Sequence, residues 1–234
     1  MKGVILAAGM GTRLANLTRG TNKHFYRING KPMIHYPVER LKQAGIEDIA
    51  VIVHQKDLEA MRAHLGDDYQ YLVQDINQQG IAKAIATAEE FVGDNDFVVH
   101  LGDQIYTWSL RPFLERFQQN TNDCRLILKE TGGEARHHTV IYTRGDKITN
   151  IVEKPDVESG KTMIGIYAFR PSIFDYIRRV EKSQRGEYEI CDAIRMVHEE
   201  LGKVGFEVIE EPWFDAGTPE NVKAADEYLK EQNE

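Results

Sequence analysis

Apolar and polar positions follow two rhythms along this chain, and the change between them divides it. In the first half, short unbroken apolar runs alternate with stretches of helical spacing. Residues 2–8 (KGVILAA), 48–54 (DIAVIVH) and 96–103 (DFVVHLGD) read as strands buried on both faces, with 69–74 (YQYLVQ) as a further strand. Between them, 33–46 reads as a helix stopped at Gly45, and 57–66 as a short helix with Leu58, Met61 and Leu65 on one face. Residues 80–93 place Ile81, Ile85, Ala88 and Phe91 near helical spacing. Strands alternating with helices imply a mostly parallel sheet with helices on both faces. The second half is strand-rich over 124–130, 138–154 and 161–170, with turn signals at 144–146 and 159–160. Helices are expected at 171–180 and 190–201, then a strand over 204–211. A last helix starts at Pro219, with Thr218 as its N-cap. The expected fold is α/β, a Rossmann-like mixed, mostly parallel sheet flanked by helices, forming one domain over 1–234.

Composition narrows the class. The 234 residues carry a formal net charge of −8, against the basic balance of a general nucleic-acid binder. A small phosphorylated ligand stays open, because a local cluster of Arg and Lys overrides the global sign. Two separated cysteines, Cys124 and Cys191, give no disulfide framework and no zinc spacing, which suits a reducing cytoplasm. No basic segment followed by a long apolar run marks a leader, and no run is long enough to span a membrane.

The chemistry starts at LAAGMGTRL, residues 6–14. Gly9-Met10-Gly11 begins a dinucleotide fingerprint, but Leu14 stands where its last glycine belongs, and no GK[ST] completes a Walker loop. What remains is a loop able to wrap backbone N–H groups around phosphate oxygens. Arg13 follows at once with a fork of donors suited to phosphate. Lys23 lies ten residues further on. For a lone GxG, a tight turn with a solvated arginine is an equally good reading; the preceding strand and the two cations tilt it toward phosphate.

That loop, followed by TNKHFYRINGKPMIHYPVERL (21–41), resembles the sugar-1-phosphate nucleotidylyltransferase family, close to the glucose-1-phosphate thymidylyltransferases. The likeness continues in order through VQDINQQGIAKAI (73–85), LGDQIY (101–106), IVEKPD (151–156), IGIYAF (164–169), RGEYEICDAI (185–194) and WFDAGTPE (213–220). It implies a Mg²⁺-dependent enzyme joining a nucleoside triphosphate to a sugar 1-phosphate, with dTTP and glucose 1-phosphate as the leading pair. Residues 1–110 would form the nucleotide half and 111–234 the sugar-phosphate half. Arg13 and Lys23 would be catalytic; Ala8, Gly9, Gly11 and Thr12 would line the triphosphate. Gln74 and Gly80 would read the base, with Gln78 or Gln79 as alternatives to Gln74. Glu153, Lys154 and Gly165 would take the sugar phosphate, and Asp103 and Asp215 the Mg²⁺. Asp192 is read as structural or supporting. Taken singly, Lys154 reads as a surface lysine beside a proline, and the two aspartates as turn residues.

The chain departs from that family's pattern in three places. HHTVIY (137–142) replaces an aromatic-Gly-Val pattern near the sugar, Arg27 stands where proline is common, and the chain stops soon after its last helix. The first departure keeps UTP, CTP or GTP, or a modified sugar phosphate, as alternatives. A non-catalytic NDP-sugar-binding regulatory paralogue is the alternative of another class. Adjacent histidines on a strand face opposite ways, so His137 and His138 are not expected to share a metal. No nucleic acid or membrane partner is expected, and a homo-oligomer stays open.

Overall fold

The computed structural model describes residues 1–133 and 135–232; the last two residues of the expected domain lie outside them. The strands are β1 (Lys2–Leu6), β2 (Arg27–Ile28), β3 (Lys31–Pro32), β4 (Ile49–Val53), β5 (Gln70–Val73), β6 (Phe97–Leu101), β7 (Gln104–Tyr106), β8 (Cys124–Gly132), β9 (Thr139–Arg144), β10 (Lys147–Glu153), β11 (Ser159–Phe169), β12 (Val204–Ile209) and β13 (Trp213–Asp215). The helices are α1 (Ala15–Thr18), α2 (His35–Gln43), α3 (Leu58–Leu65), α4 (Ile81–Ala86), α5 (Glu89–Val92), α6 (Arg111–Gln118), α7 (Ile173–Ile177), α8 (Ile190–Leu201) and α9 (Pro219–Glu231).

A single mixed sheet organises the molecule. Its main path runs β10-β9-β11-β6-β1-β4-β5, with β8 joined to β11 and β12 to β8. The pairs β1–β4, β1–β6, β4–β5 and β8–β12 are parallel, and β11 runs antiparallel to β6, β8 and β9. Side-chain alternation splits the buried strands between two cores. Val4, Leu6, Ile52 and Val99 pack on one face against Ile85, Phe174 and Ile194 of α4, α7 and α8. Ile5, Val51, Val53 and Val98 pack on the other against Val38, Leu41, Met61 and Phe117 of α2, α3 and α6. That division is why the strands read as continuous apolar runs.

A third cluster positions the site. Leu14, the residue that breaks the dinucleotide fingerprint, is 1% exposed and packs with Ile105, Ala216 and Val222. It ties the glycine loop to β7, to the segment after β13, and to α9. Thr218 caps α9 by accepting from the Asn221 N–H at 3.3 Å, and Asn221 Nδ2 donates to the Asp215 carbonyl at 2.9 Å.

Several elements differ from expectation. The turn signal at Ser159-Gly160 is overridden: both residues pair with β8, opposite Gly132 and Thr131, and start the longest strand. The helix over 80–93 is two short pieces, with Thr87 Oγ1 donating to the Lys83 carbonyl at the break. His137 ends a 3₁₀ turn (Ala135–His137), and His138 lies just before β9, so neither sits on a strand. Helix α6 and the β7–β13 pair have no counterpart in the sequence reading.

Candidate active site

At the carboxyl ends of the parallel strands lies an open cleft of about 650 Å³, the place where open α/β sheets bind ligands. Ala8, Gly9, Gly11, Thr12 and Arg13 form one wall, and Gln74, Gln79, Gly80 and His54 form another part of it. Lys23, Asp103, Lys154 and Asp215 also line it. A second cavity of about 180 Å³ shares Arg13, Asp103, Lys154 and Asp215 with the first, and holds Glu153, Gly165, His138 and Arg185. Apart from the alternative Gln78, which borders neither, every residue that the resemblance assigns to chemistry borders one of these two adjoining spaces.

The glycine loop rests on the lysine. Gly11 has φ +62°, a left-handed conformation that glycine adopts freely, and a Cβ there would lie 3.2 Å from Lys23 Cβ. Asn22 fixes the start of that segment: its Nδ2 donates to the Ala7 carbonyl at 3.1 Å and to Asp57 at 3.0 Å, and its Oδ1 accepts from the His24 N–H at 3.0 Å. Lys23 Nζ reaches across the cleft and ion-pairs with Asp103, whose other oxygen accepts from Gln104 Nε2 at 2.8 Å. Burial alone would raise the Asp103 pKa; the Lys23 ammonium outweighs it and holds the carboxyl well below the usual carboxylate range. His24 beside them is fully buried and pushed down to about 3, by burial first and by the Lys23 charge second.

Asp215 reaches the same spot from β13. It sits opposite Gln104 in the β7–β13 ladder, and the Ala216 N–H donates to the Asp103 carbonyl at 2.9 Å. Burial and the Asp103 charge both push its carboxyl up, against the opposing pull of Lys23 and Arg13. Asp215 Oδ1 is buried with no hydrogen-bond partner among the described residues. Two carboxylates meeting there, one with an orphaned oxygen, fit a hard divalent cation with oxygen ligands. No group of three or more His, Cys, Asp or Glu among the described residues gathers around a common point. Phosphate and water would complete such a shell. A Cβ on Gly217 would lie 3.0 Å from Arg13 Nη2 and 2.9 Å from Asp215 Oδ1, so the guanidinium lies across this glycine beside the carboxylates.

The two halves of the site are stitched together at Gly80. The Tyr188 N–H donates to the Gln79 carbonyl at 3.0 Å, and the Ala82 N–H donates to the Tyr188 carbonyl at 3.1 Å. Gly80 has φ +118°, and a Cβ would lie 2.4 Å from the Tyr188 backbone. The glycine is thus required by this backbone contact, whatever ligand passes nearby. Gly80→Ala combines left-handed strain with a backbone clash, at about 2–5 kcal/mol. Its thermal midpoint, followed by calorimetry, should fall by roughly 5–15 °C; an unchanged midpoint would show that the stitch is absent.

In the smaller cavity, Thr139 Oγ1 donates to Glu153, and Arg185 bonds Glu153 at 3.1 Å and Glu189 at 2.6 Å. Burial raises the Glu153 pKa, with Thr139 opposing. Lys154 holds φ +45°, a strained value for a residue before proline, and its N–H donates to the His138 carbonyl at 3.1 Å. The room left by the missing Cβ of Gly165 is filled by Leu101 and Gln104, and its N–H donates to Gln104 Oε1 at 3.1 Å. His137 and His138 both border this cavity, which corrects the expectation that they face opposite ways. His138 meets Trp213 edge-on at 6.0 Å, and burial pushes it down to about 4, which favours its neutral form. Asp192 stands outside both spaces and ion-pairs with Arg195. Arg185 and Gln104 lie within RGEYEICDAI and LGDQIY without standing out there, and His54 ends an ordinary apolar run; only the folded chain brings the three to the cleft.

A cleft with a glycine loop, three cations (Arg13, Lys23 and Lys154) and two meeting carboxylates at strand ends has the chemistry suited to phosphorylated ligands. The nucleotidyl transferase family model matches residues 2–232, and the chain belongs to that family. It is 37% identical over 238 residues to the low-salt glycan biosynthesis nucleotidyltransferase of Haloferax volcanii, covering 99% of this chain and 66% of that one, just under two thirds. It is 33% identical to the UTP–glucose-1-phosphate uridylyltransferase of the same organism, covering 99% of this chain and 98% of the relative. A Bacillus anthracis protein assigned as a glucose-1-phosphate thymidylyltransferase, solved in complex with sucrose, superposes with a TM-score of 0.91 at 33% identity. That match covers 98% of this chain and 95% of the other. The mixed, mostly parallel sheet is the fold of these neighbours. No helix among the described residues is long and apolar enough to cross a membrane.

Proposed function

We propose that this chain transfers a nucleotidyl group from a nucleoside triphosphate to a sugar 1-phosphate, releasing pyrophosphate, with dTTP and glucose 1-phosphate as its substrates. The observation that carries this reading is the continuity of the two spaces. Arg13, Asp103, Lys154 and Asp215 border both, so a triphosphate in the larger space and a sugar phosphate in the smaller would meet at these four residues.

A sugar-phosphate oxygen attacks the α-phosphorus; the P–O bond to the β-phosphate breaks, and its electron pair leaves with pyrophosphate. A phosphate dianion needs no base, so positioning and charge compensation supply the catalysis. The loop from Ala8 to Thr12 offers N–H groups to the triphosphate, and Arg13 stabilises charge on the departing pyrophosphate. Lys23 exchanges its hold on Asp103 for the reacting phosphates. Lys154 binds the incoming phosphate beside Arg185, Glu153 accepts from sugar hydroxyls, and Gln74 reads the base. Asp103 and Asp215 would hold Mg²⁺, which would supply charge neutralisation on the triphosphate when bound.

The uridylyltransferase relative supports a second reading, the same chemistry with UTP. Pyrophosphate release measured over a matrix of nucleotides and sugar 1-phosphates tests both. Turnover with dTTP and glucose 1-phosphate is expected. Turnover confined to UTP would favour the second reading. Nucleotide binding by thermal shift without turnover of any pair would favour the regulatory paralogue instead.

A further inference from the structure

His54 is an imidazole without a role in anything described so far. It is 5% exposed, and neither Nδ1 nor Nε2 has a hydrogen-bond partner among the described residues, yet the side chain forms part of the cleft wall. A buried ring with both nitrogens idle loses its hydrogen bonds to water and gains none in return. The cleft is where a partner can come from.

Strand register says which part of the cleft. Leu6 pairs with Ile52 and with Leu101, and Val53 pairs with Val73. Continued past the strand ends, that register sets Asp103, Ala8, His54 and Gln74 side by side on one face of the sheet. Asp103 marks the phosphate end of this row, and Gln74 the far end. The Gln74 N–H donates to the Val53 carbonyl at 2.9 Å, which holds the two segments together directly beside His54.

Gln74 limits what can bind there. Its Nε2 donates to the Gln78 carbonyl at 2.8 Å, a contact that fixes the amide's orientation. Its Oε1 is left to face a donor. A group offering an N–H to Gln74 and a carbonyl to the next residue is the imide edge of a thymine or uracil, also present in guanine. Cytosine and adenine offer the reverse pattern at that edge. An imidazole carries at least one N–H donor in either protonation state, and the His54 ring already forms part of the cleft wall.

We propose that His54 donates a hydrogen bond to a base carbonyl of the bound nucleotide and, with the Gln74 acceptor, selects imide bases over amino bases. This rests on the proposed function above and adds a second residue to its reading of the base.

His54→Leu and His54→Asn test it, with steady-state constants for dTTP, UTP, CTP and ATP at saturating glucose 1-phosphate. In His54→Leu, KM for dTTP and UTP rises about 10–100-fold, as expected for a lost hydrogen bond to a buried polar group. The preference for dTTP over CTP falls by a similar factor, kcat falls much less, and KM for glucose 1-phosphate stays within about threefold. His54→Asn, which keeps a donor, recovers part of the preference. An unchanged dTTP-to-CTP preference in His54→Leu overturns the assignment. Should that variant not fold, nitrogen NMR of the His54 ring in the unaltered protein decides. A shift of its ring nitrogens on adding dTTP supports the hydrogen bond, and no shift with dTTP bound overturns it. Failure of the unaltered protein to bind or turn over any triphosphate would instead defeat the proposed function itself.

Discussion

Asp103→Asn should lower kcat by at least about 10²-fold, the scale of losing one preorganised charge at a reacting centre. The amide keeps the carboxylate's shape, so the Gln104 contact and the β7–β13 pairing stay in place. What goes is the charge, and it serves two neighbours. Lys23 loses its ion-pair partner inside a site where Asp103 is only 8% exposed, and Asp215 loses the carboxylate it meets. An uncompensated buried ammonium is costly in the resting enzyme. On the proposed Mg²⁺ reading, a cation facing one aspartate instead of two would bind more weakly, so the Mg²⁺ concentration for half-maximal turnover should rise as kcat falls. Pyrophosphate release at several Mg²⁺ concentrations separates the two effects. Near-normal kcat at low Mg²⁺ would remove Asp103 from the mechanism.

The same residue illustrates what could be read before folding and what could not. Strand β6, which Gly102-Asp103 follows, is legible because both faces are apolar, and β1, β4 and β12 for related reasons. Its meeting with Asp215 is not: the two lie over a hundred positions apart, and each of the strands joining them is three residues long. Three residues carry no period to detect. Helix α6 is a different failure. Phe113, Leu114 and Phe117 are spaced for one helical face and fully pack, but Pro112 obscures the pattern unless it is placed at the first turn. Ser159 and Gly160 mislead in the opposite direction, because turn-forming residues lose to a continuous ladder with β8.

Within the site, legibility tracks chemical type. Glycines, arginine, lysine and aspartate announced themselves by their spacing in segments that resemble a known family. His54 did not, since one histidine at a strand end is usually a satisfied core residue. Its idle nitrogens exist only in three dimensions. Gly80 and Gly165 were legible as glycines, but their reasons were not: Tyr188 and Gln104 occupy the space a side chain would need.

Arg13→Ala should also cost at least about 10²-fold in kcat, and it is the cleaner experiment of the two. Arg13 is exposed to the cleft, whereas Asp103 is buried. Truncating an exposed side chain usually changes stability by no more than about 0.5 kcal/mol, so the thermal midpoint should barely move. Any large loss of turnover then belongs to the reaction. Its position argues the same way. The guanidinium lies across Gly217 beside Asp215, bordering both spaces, where negative charge would accumulate as pyrophosphate departs. Such an interaction is stronger in the transition state than in the bound substrates, so kcat should fall more than KM for the triphosphate rises. Arg13→Lys keeps the charge and loses the planar fork, so it should recover only part of the activity. If the alanine variant raised KM while leaving kcat intact, Arg13 would be a binding residue only, and stabilisation of the leaving group would fall to other residues of the cleft.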